Sequence, residues 1–386
     1  MTIEGQRHQL AVDAAAMPAE EGGGTPEPTR PPDRRGRRQL VPRSGRARYY
    51  LYRVGLLVPQ TLAVSVVAFL LLHLIPGDPA KSLLGPLATP SSVKALRDQL
   101  GLNKPLPEQY LLYLQNAVHG NLGTSTATSN QVSHDLATRA APTLELLLIS
   151  MVLLLVLALA IGLLGIFKPK NWLTRFARFY SATAGSFPDF WIGLLLLFLF
   201  YHQLGIAPSP SGQLDPTILP PPQVTGSTLL DGLLAGQWAV VSNSIGHLVL
   251  PVATLVIVNL GPVLRMASGS FEVLASSRSI YFSRALGLSY AVIAKRTLKQ
   301  ALPPILTLSG TLFVFLLSGV VVTEQVFAWG GLGQYVVGAV QQSDYFAVLG
   351  FLIIASIFTL VVYLLIDIVH ALTDPRLKLG VKESDK

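Results

Sequence analysis

Pro142-Thr-Leu-Glu-Leu-Leu-Leu-Ile-Ser-Met-Val-Leu-Leu-Leu-Val-Leu-Ala-Leu-Ala-Ile-Gly-Leu-Leu-Gly-Ile-Phe167 carries a single charged residue, Glu145, near its start. About 20 mostly apolar residues are enough to cross a bilayer core. Lipid offers no partner to backbone N–H and C=O groups, so such a run has to be helical. Its Leu/Val character lacks the strict alternation of a barrel strand. Five further segments read the same way: Val54–Ile75, Phe179–Leu204, Gly246–Met266, Ala301–Val326 and Tyr345–Leu372. The expected fold is therefore an all-α membrane protein with six transmembrane helices. Composition agrees, with 51% hydrophobic and 13% charged residues, whereas a soluble domain holds about 25% charged.

Basic residues orient the spans, because Lys and Arg concentrate on the cytoplasmic side. With the N-terminus in the cytoplasm, residues 1–53, 168–178, 265–300 and 373–386 hold 24 Lys+Arg, against 5 on the outside. Those five lie in residues 76–141, a loop long enough to be translocated whatever its charge. Both termini are expected in the cytoplasm. Residues 1–48, dominated by Pro, Gly, Glu and Arg, read as a disordered basic tail. The first transmembrane helix lies within 49–75, a small extracytoplasmic helical domain in 76–141, a five-helix core in 142–372 and a short cytoplasmic tail in 373–386. In the outer domain, Ser91–Leu100 is amphipathic with Gly101 as its stop, and a second helix opens at Pro107 and stops at Gly120. Their apolar faces need the rim of the bundle or a docked protein. The second outer loop has six prolines between Pro208 and Pro222, which suits a lid or a stiff spacer equally.

Several chemistries are excluded. The chain has no cysteine and no Gly-Lys pair, so it has no thiolate site and no P-loop. Ser268 and His247 lie on one helix, too far apart for a nucleophile–base pair. No two histidines share a His-x-x-x-His spacing, so no metal site is expected. Ionisable groups remain in or near the spans. His73, Glu145, His202 and His370 lie near predicted ends and can reach water, and Asp367 is one turn from an end. Asp189, near the middle of the third span just after Pro188, and Glu324, near the outer end of the fifth, are the candidates for a translocation path; a hydrogen-bonded packing role is the alternative for both.

One segment fits neither span nor tail. Residues 270–300 are basic and amphipathic, and within them Ser279-Ile280-Tyr281-Phe282-Ser283-Arg284-Ala285-Leu286-Gly287-Leu288-Ser289 reads as a short helix parallel to the membrane. It would rest on headgroups or seat in the groove of a cytoplasmic partner.

Along its length from about residue 48 to 380, the chain resembles the permease subunits of bacterial ABC importers for peptides, in the branch that also handles nickel and opines. The resemblance is carried by Leu72-His-Leu-Ile-Pro-Gly-Asp-Pro79, Leu96-Arg-Asp-Gln-Leu-Gly-Leu-Asn-Lys-Pro105, Gln109-Tyr110, Gly120-Asn-Leu-Gly123, Pro188-Asp-Phe-Trp-Ile-Gly193, Glu324-Gln-Val-Phe-Ala-Trp-Gly-Gly-Leu-Gly333 and Asp374-Pro-Arg376, in that order. It implies a type I importer (MetI-like) permease fold in the bacterial cytoplasmic membrane. The partners implied are a homologous second permease, two ATPase subunits that bind ATP and Mg, and an extracellular solute-binding protein of lipoprotein type. The implied role is non-catalytic, with no cofactor in this chain and no nucleic acid partner. Ser279–Ser289 would be the coupling helix that docks in the ATPase. Gly287 stands at the glycine of the family's Glu-Ala-Ala…Gly signature, while Tyr281-Phe-Ser283 replace Glu-Ala-Ala, so the grip is expected on Ile280, Phe282, Leu286 and Arg284. Gly330 replaces the proline usual before Gly-Leu-Gly. Dipeptides or oligopeptides, nickel chelates and glutathione all suit such a permease. A stand-alone secondary transporter and a membrane receptor or structural subunit are the rivals from other classes.

Overall fold

A computed structural model describes residues 43–73, 78–85, 88–168, 170–185 and 187–373. Most of the expected N-terminal tail, the C-terminal segment 374–386 with Asp374-Pro-Arg376, and Leu74–Gly77 of the first motif lie outside the described residues. The described residues form helices joined by turns and loops, and the only β pairing among them is one isolated bridge between Thr124 and Gln131.

Helix α1 (Arg43–His73) holds the first expected span and leads to the segment expected to form the outer domain. There α2 (Pro79–Leu84) is capped by Asp78, and α3 (Pro90–Leu100) by Thr89. Gly101, at φ 71°, ends α3 in the left-handed region that glycine enters without strain. Then follow α4 (Leu106–Val118) and α5 (Val132–Phe167), which starts well before Pro142. The expected third span, Phe179–Leu204, is not one helix. It is split into α6 (Trp172–Thr183) and α7 (Asp189–Leu196), the latter continuing as a π-helical segment, Leu197–Gln203. Gly185, at φ 92°, and Pro188, which cannot donate to a helical ladder, account for the break. After the second outer loop come α8 (Thr228–Leu234), α9 (Trp238–Ala275), α10 (Arg278–Ala285), α11 (Tyr290–Phe327), α12 (Leu332–Gln341) and α13 (Tyr345–Thr373).

Among the described residues, α5, α9 and α13 are each long and apolar enough to cross a membrane; Leu312–Phe327 of α11 and α12 are apolar enough together but bend by 75° at the break between them, as a broken span or a re-entrant loop does. Val54–Leu70 of α1 and Asp189–Gln203 are shorter apolar helices. The core lies where α9 packs along α5 and α11. Leu146, Leu147, Leu154, Leu255, Leu264, Phe271, Ile305 and Leu316 are fully buried there. Helices gain little from apolar contact when lipid is equally apolar, so close packing of small residues matters more. Gly162 supplies it: a Cβ there would sit 2.7 Å from the Phe271 ring.

The outer layer rests on the bundle rim. Tyr110 of α4 bonds Ser65 of α1 at 2.7 Å, and His73 bridges Phe69, Gln109 and Tyr345. His73 thus ties α1, α4 and α13 together rather than reaching for water. Arg97 forks onto Asp78 at 2.7 Å. Partial burial pushes the Asp78 carboxyl up, but the Arg97 hydrogen bond, the Ala80 N–H and the Arg97 charge outweigh it and hold the group below its ordinary value.

The Pro-rich loop is tied down at several points. Asp231 accepts from the N–H groups of Val224, Thr225 and Gly226 and from the Thr225 hydroxyl. Gln213 donates to the Trp329 carbonyl at 3.3 Å and accepts from Thr228 N–H at 3.0 Å. Asn243 pairs with Asp215 at 2.6 Å. Ser227 donates to Glu145, which is buried beneath the loop instead of snorkelling to water.

Candidate functional site

Two elbows bound α11. At the lower one, α9 runs past its apolar stretch to Ala275, and Ser277 caps α10 through the Ile280 N–H. Helix α10 ends before Gly287, whose φ of 69° permits the turn into Ser289 and α11. Its inner face is Ile280, fully buried, and Ser283, which accepts from Arg296 at 3.2 Å and donates to the Ser279 carbonyl. Its outer face is Tyr281 (76% exposed), Phe282 (64%) and Leu286 (59%), with Ser279, Arg284 and Ala285 also exposed and Leu288 half-buried. Ile280 is therefore an internal anchor and leaves the set of expected gripping residues. Tyr290, beyond the turn at the start of α11, is 77% exposed and meets the Phe167 ring edge-on at 5.6 Å.

The upper elbow is the reverse. Ala328 (φ 51°) and Gly330 (φ 81°) fold the chain back into α12. Glu324 is completely buried. Thr143 donates to its Oε1 at 2.6 Å, and Gln334 N–H in the first turn of α12 donates to its Oε2 at 3.0 Å. The same Thr143 hydroxyl accepts from Leu332 N–H at 2.7 Å. Trp329, nearly fully buried, donates from Nε1 to the Pro142 carbonyl at 3.1 Å. A carboxylate at a helix N-terminus meets unpaired N–H groups and the positive end of the dipole. Gly331 and Gly333 pass so close to Glu324 that a Cβ on either would collide with it.

Asp189 is the first residue of α7, at the break and not mid-helix as expected. It is half-buried; its buried Oδ1 has no hydrogen-bond partner among the described residues, and its Oδ2 lies 3.0 Å from where a Cβ on Gly319 would stand. The two candidate carboxylates are thus not brought together as one pair: Glu324 faces α12 and Thr143, Asp189 faces Gly319 of α11 and Leu255 of α9.

Residues 155–379 match the model of the binding-protein-dependent transport system inner membrane component, and residues 47–147 match the N-terminal model of the same transport-system membrane components. The chain belongs to this permease family. It is 39% identical to a probable D,D-dipeptide transport system permease protein of Escherichia coli (strain K12), over 84% of this chain and 95% of the relative. It is 33% identical to a dipeptide transport system permease protein of Alkalihalophilus pseudofirmus, over 86% and 99%. A glutathione transport system permease protein of Escherichia coli (strain K12) is 31% identical over 86% and 98%. The protein is accordingly a multi-pass inner-membrane permease subunit of an ABC importer. Within this permease, the glycine in place of the resembled family's proline has a backbone reason. Gly330 sits at φ 81°, and a proline ring fixes φ near −65°.

Proposed function

We propose that this permease forms half of a pathway for dipeptides and other short peptides, with six spans and both termini in the cytoplasm. The other half is a second permease of the family. Two ATPase subunits, which hold ATP and Mg, drive it, and an outer solute-binding protein of lipoprotein type feeds it. The peptide reading rests on the names of the relatives at 39% and 33% identity. Glutathione is the second reading, supported by the 31% relative.

The observation that carries the coupling reading is the two-sided α10. Ile280 and Ser283 seat it in its own subunit, and three large apolar side chains, Tyr281, Phe282 and Leu286, are left uncovered. An exposed apolar face of this kind suits a groove in a soluble partner. ATP-driven closure of the ATPases would move α10, and α11 would carry that motion across the membrane as the pathway switches sides. Without a carboxylate at Tyr281, contact rests on Tyr281, Phe282, Leu286 and Arg284. Glu324 is assigned to holding α12. Asp189 stays the candidate for the path, where its unpaired oxygen suits a cationic group such as a peptide amino terminus.

Affinity purification of the tagged permease should bring down a second permease and two ATPases. Uptake of a labelled dipeptide by the complex should require ATP and should exceed uptake of glutathione. Uptake by this chain alone, indifferent to ATPase mutations, would sink the reading. Asp189→Asn should slow uptake of free-amino peptides; unchanged uptake removes Asp189 from the path.

A further inference from the structure

Helix α6 is held by one side. Thr174 and Ala177 are buried against α5 and α9, the Tyr180 hydroxyl donates to the Ile257 carbonyl, and Arg265 donates to the Ser181 carbonyl. Its other side is uncovered. Trp172 (74% exposed), Phe176 (56%) and Phe179 (69%) recur at helical spacing, so they form one stripe. Lys168, Lys170, Arg175 and Arg178 are exposed around it. The carboxylate that answers them is Glu272, 3.6 Å from Arg178; Lys168, Lys170 and Arg175 have no ion pair among the described residues.

Position along the chain adds an independent constraint. The basic residues begin directly after α5 ends at Phe167. Beyond the break at Gly185, Phe187, Phe190, Trp191, Leu194 and Leu195 are among the exposed side chains, and residues 187–201 contain no basic residue. Cationic and aromatic first, then apolar alone, is the profile of a chain passing from headgroups into acyl chains. Trp sits well at that boundary, and clustered Lys/Arg beside a span attract anionic lipid.

We propose that the exposed face of α6, with Lys168, Lys170 and Arg175 around Trp172, is a binding site for the headgroups of anionic phospholipids in the cytoplasmic leaflet. The cations meet the phosphate and the aromatic stripe lies at the acyl boundary. The leaflet named rests on the cytoplasmic orientation of residues 168–178 proposed above; peptide specificity does not enter.

The purified complex in nanodiscs tests this. Fluorescence from Trp172, taken as the difference between wild type and Trp172→Phe, is read against brominated phosphatidylglycerol and brominated phosphatidylcholine. Half-quenching is expected at roughly tenfold less of the anionic lipid, since each nearby Lys or Arg favours it several-fold. The triple Lys168→Gln/Lys170→Gln/Arg175→Gln variant should lose the preference, while Lys168→Arg/Lys170→Arg/Arg175→Lys keeps it, which separates charge from folding. Equal quenching by the two lipids overturns the proposal. Quenching by neither also overturns it, and means that protein covers the face. The chain has no cysteine of its own, so Lys170→Cys reports the side independently. Its labelling from outside by an impermeant reagent would overturn the leaflet assignment.

Discussion

The two ends of α11 are built on opposite principles. At its lower end, α10 turns an apolar face outward and keeps one large anchor, Ile280, inside. At its upper end, the turn into α12 is buried, and Glu324, Thr143 and Trp329 each have a hydrogen-bond partner. Between them runs one helix of 38 residues, about 57 Å long at 1.5 Å per residue. An exposed apolar face and a corner closed on itself thus lie at opposite ends of one helix, which carries Pro303 and Pro304 in its interior. The contrast is testable at each end.

The largest effect is expected at the closed end. Glu324→Ala leaves the Gln334 N–H without its acceptor, at ~1–3 kcal/mol for the orphaned donor, and the Thr143 hydroxyl with only its longer 3.3 Å bond to the Arg139 carbonyl. Thermal unfolding of the purified complex should drop well below wild type, with Glu324→Gln milder because it keeps an acceptor oxygen. A Glu324→Ala complex of wild-type stability would erase the distinction between the ends. Next comes the open end. Tyr281→Ala with Phe282→Ala should leave stability within ~0.5 kcal/mol, as for surface changes, and cut transport at least about tenfold, equivalent to ~1.4 kcal/mol of lost docking. Ile280→Ala should behave oppositely and destabilise by ~2–5 kcal/mol as a core truncation. If the double variant unfolds and Ile280→Ala does not, the inside and outside of α10 have been exchanged. Arg284→Glu should give a smaller loss, visible as ATP hydrolysis no longer matched to uptake; normal coupling would remove Arg284 from the docking face.

The mildest effect concerns pH and the outer loop. Burial pushes the Asp231 carboxyl up, but bonds from the Thr225 N–H and hydroxyl and from the Val224 and Gly226 N–H groups outweigh it and hold the group below its ordinary value. A lowered carboxyl stabilises the loop fully above its unfolded pKa and loses that contribution as pH falls through the folded one. Proteolysis within residues 204–237 should therefore be unchanged from neutral pH down to about the ordinary carboxylate range, and rise only in stronger acid. Asp231→Asn should be cleaved faster at neutral pH as well; equal cleavage would show that the proline run holds the loop unaided.

The Leu/Val runs and the Lys/Arg asymmetry made the helical membrane class legible in the sequence, because lipid imposes composition directly. What escaped depended on which way a side chain turns. Ile280 reads like Phe282 and Leu286, and only packing against α9 and α11 decides that it faces inward. Glu145 and His73 sit near span ends, where water is the simple expectation; a folded outer loop and α4 supply their partners instead. Pro188 signalled a break in the hydrogen-bond ladder of the third span, but that the chain turns there into two helices depends on the positive φ of Gly185, which composition does not display. Helix α12 is ten residues long and lies in what reads as a loop. Its clearest mark was the Gly330-Gly331-Leu332-Gly333 run, needed for close passage over Glu324.

The Thr143–Glu324 bond joins residues 181 positions apart. During synthesis α5 enters the membrane long before α11 exists, so Thr143 waits without its carboxylate. Glu324 in turn arrives before Gln334, the donor that completes its set. The upper corner can therefore close only once the chain has been made as far as Gln334, so its bonds are among the last of the bundle to form.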